Sequence, residues 1–224
     1  MLLDLWEYIL KNGTMWGLIG ALITLGINIL ITRKTKKENA RVFLDTHAIE
    51  RNVKNKLDNE GYENRAQLLL TDKYNELMGL LEDAHEDNLK EARIPYLVIE
   101  NLSSNPCFGM KVNFNLKANS GKEEVEDFDI YTMKANGIVI IPLIHNGGYE
   151  TNILEITYST LESETMKYKA ITTYKGKKEG TEKDDVEIKQ TVYRKGLFGI
   201  YREIFSTTGS GMATTSKIKK VAES

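Results

Sequence analysis

The longest apolar run of the chain lies near its N-terminus. Met15 to Ile31 reads MWGLIGALITLGINILI, seventeen residues without a charge and with only Thr24 and Asn28 polar. At 1.5 Å per residue such a helix covers about 26 Å, the short end of what crosses a hydrocarbon core, and Thr14 and Thr32 extend it. The run predicts a transmembrane helix, with residues 1–35 as N-terminal segment and anchor. Between about Lys36 and Ala92 the spacing is helical and free of proline. Ile49, Val53 and Leu57 share one face, and after Gly61 so do Leu70, Tyr74, Leu77, Met78 and Leu81. The expectation is a helical neck over 36–92. Its apolar faces do not form a sustained heptad, so no long coiled coil is read.

At Arg93 the period changes. IPYLVIENL (94–102) leads through SSNP into CFGMKVNFNL (107–116), where Met110, Val112, Phe114 and Leu116 alternate with polar residues as in a half-buried strand. Further strand candidates are 128–133, 137–144, 151–160, 165–175, 185–194 and 197–205, separated by KANSGKEE, HNGG and KGKKEGTEKD. Seven or eight short strands with such punctuation predict a mainly-β antiparallel sandwich over 93–206, and about 110 residues is the right size for one. Residues 207–224 read as a flexible C-terminal tail.

The flanks of the apolar run set its topology. Trp6, Tyr8 and Trp16 lie on the N-terminal side, where amphipathic rings favour the headgroup layer. Arg33, Lys34, Lys36 and Lys37 follow the run, and basic residues stay cytoplasmic. The expected location is therefore the cell membrane, single-pass, N-terminus out and C-terminal domain in the cytoplasm. A cleaved signal peptide would carry the opposite order, basic before the apolar core and small residues after it. A buried core helix is the other alternative, disfavoured by a uniformly apolar stretch beside a basic cluster.

Within the span, small residues recur every four positions: Gly13, Gly17 and Ala21 on one stripe, Gly20, Thr24 and Asn28 on another. That spacing lets two helix backbones approach, with Asn28 bonding across the contact, although glycine is common in membrane helices anyway. Trp16, Gly17, Gly20, Ala21, Thr24 and Asn28 are thus the candidate anchor residues, and the bilayer and a second copy of the chain their candidate partners.

Composition sharpens this division. The mean hydropathy of −0.36 belongs to an ordinary soluble protein, yet it averages a charge-free span with a polar remainder. The total charge is −2, and residues 1–37 hold five basic side chains against two acidic ones, so the remainder carries −5. An acidic remainder without a basic stripe disfavours nucleic acid. A single cysteine excludes a disulfide scaffold and fits a reducing compartment.

The stretch IPYLVIENLSSNPCFGMKVNFNL resembles the "strand, Asn, turn, small residue, strand" opening of immunoglobulin-like domains in small single-span bacterial and phage membrane proteins of unknown function. IIPLIHNGGYETNILEITYST followed by MKYKAITTY is similar to a later part of the same domain, and the anchor with its basic flank matches the Gram-positive type. The resemblance implies a fold and a membrane setting, and it brings no catalytic residues. Where those proteins often have alanine after the turn proline, this chain has Cys107.

Candidate chemistry is sparse. His47, His85 and His145 are far apart and outside any metal-binding spacing. Glu82, Asp83, His85, Glu86 and Asp87 would place Glu82, His85 and Glu86 on one helical face, as a weak cation site or as a solvated helix end. Cys107 lacks the context of a thiol nucleophile and reads as structural. GSGMATTSK (209–217) fails as a phosphate loop, since Ser216 precedes Lys217 and no glycine does. Tyr168, Tyr174, Tyr193 and Tyr201 offer either a recognition face or cross-strand packing. No catalytic residue, metal or cofactor is expected.

The resulting expectation is a non-enzymatic, membrane-tethered module that presents its sandwich to an unidentified protein partner. The alternative is a membrane effector, of phage or host-defence type, acting by self-association of the span. Replacing Gly20 and Asn28 together with leucine is expected to abolish any oligomer held by the span, read by crosslinking in membranes; an unchanged oligomer would dispose of the stripe.

Overall fold

A computed structural model describes residues 13–52, 66–82, 93–118, 123–143, 149–177 and 183–214. The chain divides into two units, Met1–Ala40 and Arg41–Ser224. The first contains helix α1, Gly13–Asn39, 27 residues or about 40 Å long. No proline interrupts it, and none of its apolar stretch is buried within the chain. Lys36 and Lys37 occupy the last turn, where cations favour the negative end of the helix dipole. The helix is long and apolar enough to cross a membrane.

The second unit is β-rich. Its strands are β1 (Leu44–Asn52), β2 (Ala66–Leu68), β3 (Arg93–Asn101), β4 (Cys107–Ala118), β5 (Glu123–Met133), β6 (Ile138–Pro142), β7 (Tyr149–Ser159), β8 (Thr165–Lys177), β9 (Lys183–Lys195) and β10 (Tyr201–Thr214), with helix α2 (Asp72–Glu82) between β2 and β3. Two sheets form. The smaller runs β1-β3-β6-β2 and the larger β10-β9-β8-β7-β4-β5. Every pairing is antiparallel except β2 with β6.

The inner faces of the sheets share one core. β4 behaves as its alternation predicts, burying Met110, Val112, Phe114 and Leu116 against Leu97, Ile99, Val139 and Ile141 of the smaller sheet. On the outer face of that sheet Ile94, Tyr96, Val98, Ile138 and Ile140 form a second cluster, covered by Tyr74, Leu77 and Met78 of α2. β3 and β6 are therefore buried on both faces, which is why their sequences are continuous apolar runs with no period of two.

The turn from β3 to β4 is organised by one buried side chain. Asn101 donates to the carbonyls of Asn105 (2.8 Å) and Lys134 (2.9 Å) and accepts from the Ser103 N–H (2.9 Å). The asparagine that opens the SSNP turn thus bonds three backbone groups and ties the β3–β4 turn to Lys134 at the end of β5. Cys107, fully buried, then opens β4 opposite Met133.

Three expectations need correction. Among the described residues the neck over 36–92 is helical only to Asn39, as the end of α1, and again in α2. Leu44–Asn52 is instead an edge strand paired along its whole length with β3, and Ile49 joins the outer cluster. Its helical spacing with Val53 and Leu57, which lie outside the described residues, is overridden by pairing with a strand some fifty positions away. Of the tail expected from 207, residues 207–214 are strand, because β10 pairs with β9 as far as Thr214, and 215–224 lie outside the described residues; a Ser-, Thr- and Gly-rich stretch carries little side-chain period, but backbone pairing needs none. Lastly, the larger sheet is built from hairpins, β7 to β10 in sequence and β4 with β5. That is not the four-plus-three Greek-key order of immunoglobulin domains.

Asn101→Ala is expected to lower the stability of the detergent-solubilised chain by about 2 kcal/mol, through the loss of three buried hydrogen bonds to backbone groups. Leu80→Ala, at an exposed position of α2, should stay within about 0.5 kcal/mol. Thermal unfolding of the two variants checks the contrast.

Candidate functional site

α1 carries all the anchor residues expected from the sequence. Trp16, Gly17, Gly20, Ala21, Thr24 and Asn28 are exposed on it, and Arg33, Lys34, Lys36 and Lys37 continue the same unbroken helix. The Thr24 hydroxyl donates to the Gly20 carbonyl one turn back (2.8 Å), which satisfies it within the helix itself. A Cβ added at Gly17 or Gly20 would meet nothing within 4 Å, so the chain's own packing does not require glycine there.

The β-rich unit takes hold of the chain as soon as α1 ends. Arg41 Nε lies 2.9 Å from Glu164 Oε2, and Arg194 Nη1 lies 3.7 Å from Glu164 Oε1. The Glu164 side chain is only 6% exposed, so one buried carboxylate sits between two arginines. The β7–β8 turn positions it: Thr160 N–H donates to the Glu164 carbonyl (3.0 Å), and Glu164 N–H donates to Thr160 Oγ1 (3.2 Å). Next along the chain, the Val42 carbonyl accepts from the Tyr158 hydroxyl at 2.6 Å. The Phe43 N–H donates to Ser103 Oγ (2.8 Å), and its carbonyl accepts from Leu102 N–H (3.0 Å). Thr46 and Tyr168 share a hydroxyl–hydroxyl bond of 2.7 Å. Burial holds the Tyr158 hydroxyl well above its usual range, with nearby Cys107, Glu164 and Tyr168 adding to the effect. Burial likewise pushes Tyr168 up to about 12. Both therefore remain neutral groups in hydrogen bonds.

No family model, curated protein or solved structure matches the chain. Its chemistry has to be judged from its own residues.

The thiol of Cys107 is fully buried, and burial pushes it up to about 12, so it holds little of the thiolate that nucleophilic chemistry needs. His47 lies on β1 with Nδ1 3.8 Å from Asp45 Oδ2, both side chains well exposed. Of the acidic cluster only Glu82 is among the described residues, and His85 and His145 are outside them. Among the described residues no group of three or more His, Cys, Asp or Glu is arranged to hold a metal. On the larger sheet, Glu155 sits between Lys167 (2.6 Å) and Lys169 (2.8 Å). Burial pushes its carboxyl up, but the two lysines outweigh that and leave it below the ordinary range. A shallow open depression over β8, β9 and β10 is lined by Lys175 and Glu187, which pair with each other.

The tyrosine face does not assemble. Tyr168 is buried, Tyr174 and Tyr193 are half-buried, and only Tyr201 is exposed. The conspicuous exposed aromatics are others: Tyr131 on the edge strand β5 and Phe198 in the β9–β10 turn. Phe198, expected within a strand over 197–205, lies instead in the turn Leu197–Gly199, before β10 begins at Tyr201. KGLFGIY places apolar residues between glycines at a turn, where polar residues are the rule.

Glu164→Ala is expected to cost about 3 kcal/mol, because it leaves two arginines facing an apolar core without their carboxylate. Arg41→Ala in that background should add little, and additive losses in the double-mutant unfolding cycle would separate the two side chains energetically.

Proposed function

We propose that this chain is a single-span membrane protein that holds its β-rich unit at the cytoplasmic surface and acts there, without catalysis, by presenting that unit to a protein partner. One observation carries the reading. A charge-free helix, exposed all round within the chain, runs directly into four cations in five residues. A helix of that kind is costly in water and stable in a bilayer, and the cations select the cytoplasmic side for the C-terminal part.

The attachment of the β-rich unit supports the tether. Only Ala40 separates the last residue of α1 from Arg41, whose side chain is already paired with Glu164. So short a covalent link limits how far the β-rich unit can reach from the end of α1, as suits an interaction module with a membrane-bound partner. The non-catalytic reading rests on how the reactive groups are used. Glu164, Tyr158, Tyr168 and Cys107 are engaged in the core, as ion pair, hydrogen-bond partner or packing group.

One observation favours the second reading, an effector acting by self-association of the span. Gly17 and Gly20 leave an open helix surface that packing within the chain does not require, and small residues are what close helix contacts in lipid use. The leucine substitutions at Gly20 and Asn28 separate the two readings.

In cells the full chain is expected to stay in the membrane pellet after carbonate extraction, with residues 41–214 protected from protease added outside and digested once the membrane is opened. Release by carbonate would overturn the span, and digestion from outside would reverse the orientation.

A further inference from the structure

The strand registers bring a particular set of turns to one end of the β-rich unit. Leu44 pairs with Asn101, Phe108 with Ser159, Ser159 with Thr165, Met166 with Arg194, and Tyr201 with Lys195. The start of β1, the β3–β4 turn, the β7–β8 turn and the β9–β10 turn therefore share an end. At that end Leu102, Leu161 and Ile200 are each more than half exposed, Phe43 is exposed, and Phe198 is 95% exposed. The connections leaving the opposite ends of the same strands read NSGK (119–122), IHNGG (144–148) and KEGTE (178–182), almost wholly polar. Among these hairpin connections the apolar turns lie at a single end.

Phe198 is the most telling. Its backbone lies in the left-handed region, φ 65°, held there by the Gly196 N–H to Ile200 carbonyl bond of 2.7 Å. Bulky residues adopt that conformation at a cost, and here the ring gains no packing in return. At the same end Lys195, Arg202, Glu162 and Glu203 are exposed, and so is Lys134 after β5, at the other edge of the larger sheet.

The chain also dictates what lies near this end. β1 starts at Leu44, five residues after Asn39 ends α1, so the covalent path between them spans at most about 18 Å. The last turns of α1 carry Arg33, Lys34, Lys36 and Lys37, whose place is the headgroup layer.

Building on the reading that α1 crosses a bilayer, we propose that this end of the β-rich unit is a lipid-docking surface. Leu161, Phe198 and Ile200 enter the interfacial layer of the leaflet from which α1 emerges, and Lys134, Lys195 and Arg202 lie against anionic headgroups. Interfacial burial supplies the apolar contact that the Phe198 turn lacks within the chain.

The test uses the full chain in vesicles of mixed zwitterionic and anionic phospholipid. Phe198→Cys, Leu161→Cys and, away from this end on β8, Thr173→Cys are each labelled with an environment-sensitive fluorophore. Cys107, buried, does not compete for the label. The labels at 198 and 161 are expected to shift to the blue and to be quenched by lipid-borne quenchers, with the label at 173 unaffected. A solvent-like, unquenched label at 198 and 161 in a chain that resists carbonate extraction would overturn lipid docking and leave the anchor standing. A blue shift without lipid quenching that fades on dilution of the chain in lipid would assign the surface to a second copy instead. Extraction by carbonate would remove the anchor, and docking with it.

Discussion

The β-rich unit depends on covering both faces of β3 and β6. These two strands are apolar on each side, so a simple two-layer sandwich would leave Ile94, Tyr96, Val98, Ile138 and Ile140 in water. A fully buried side chain of this size contributes about 1.5–3 kcal/mol, so the outer cluster needs a cover. α2 supplies it, and β1 and β2 extend the sheet on either side. The segment between the span and Arg93 is thereby drawn into the unit as a third layer and two edge strands.

The same constraint fixes how the chain enters. β1 pairs with β3 from its first residue, and Val42 and Leu44 belong to the inner core. Residues 41–44 are held by both sheets, through Glu164 and Tyr158 of the larger and through the Asn101–Ser103 turn of the smaller. Glu164 answers the arginine at the entrance and the arginine on β9 together. A buried carboxylate with one cation would be a weak design, since desolvation offsets much of the attraction. With two cations and a turn that satisfies its backbone, it closes the end of the core where the apolar turns emerge.

What could be read in advance follows the range of each effect. The alternation of β4 is a property of consecutive residues and survived into the fold. The continuous runs of β3 and β6 were recognisable as strands, though their second cover was not, because the residues of α2 that provide it look like any amphipathic helix. Ile49 was placed on a helical face by its neighbours in sequence and on a strand by its partners in space. At the acidic start of β5, Glu123 and Glu124 read as the end of a turn, and residues 125–127 fell outside any predicted element. β5 is an edge strand whose charges protect an unpaired rim. Tyr168 and Tyr201 are equally aromatic in the sequence, and only the sheet faces distinguish the buried one from the exposed one.

By itself the sequence determined the charge-free helix, the basic cluster that follows it, the acidic balance of the remainder and the strand character beyond Arg93. Each of these is a sum or a period over neighbouring residues, and solvent acts on them locally. Only the tertiary structure decided that residues 44–52 join a sheet, that Arg41 meets a carboxylate 123 positions away, and that exposed apolar turns gather at the end where β1 begins. Those outcomes depend on which distant backbones pair and which faces are covered. Pairing and burial are non-local energies, and no window along the chain contains both partners.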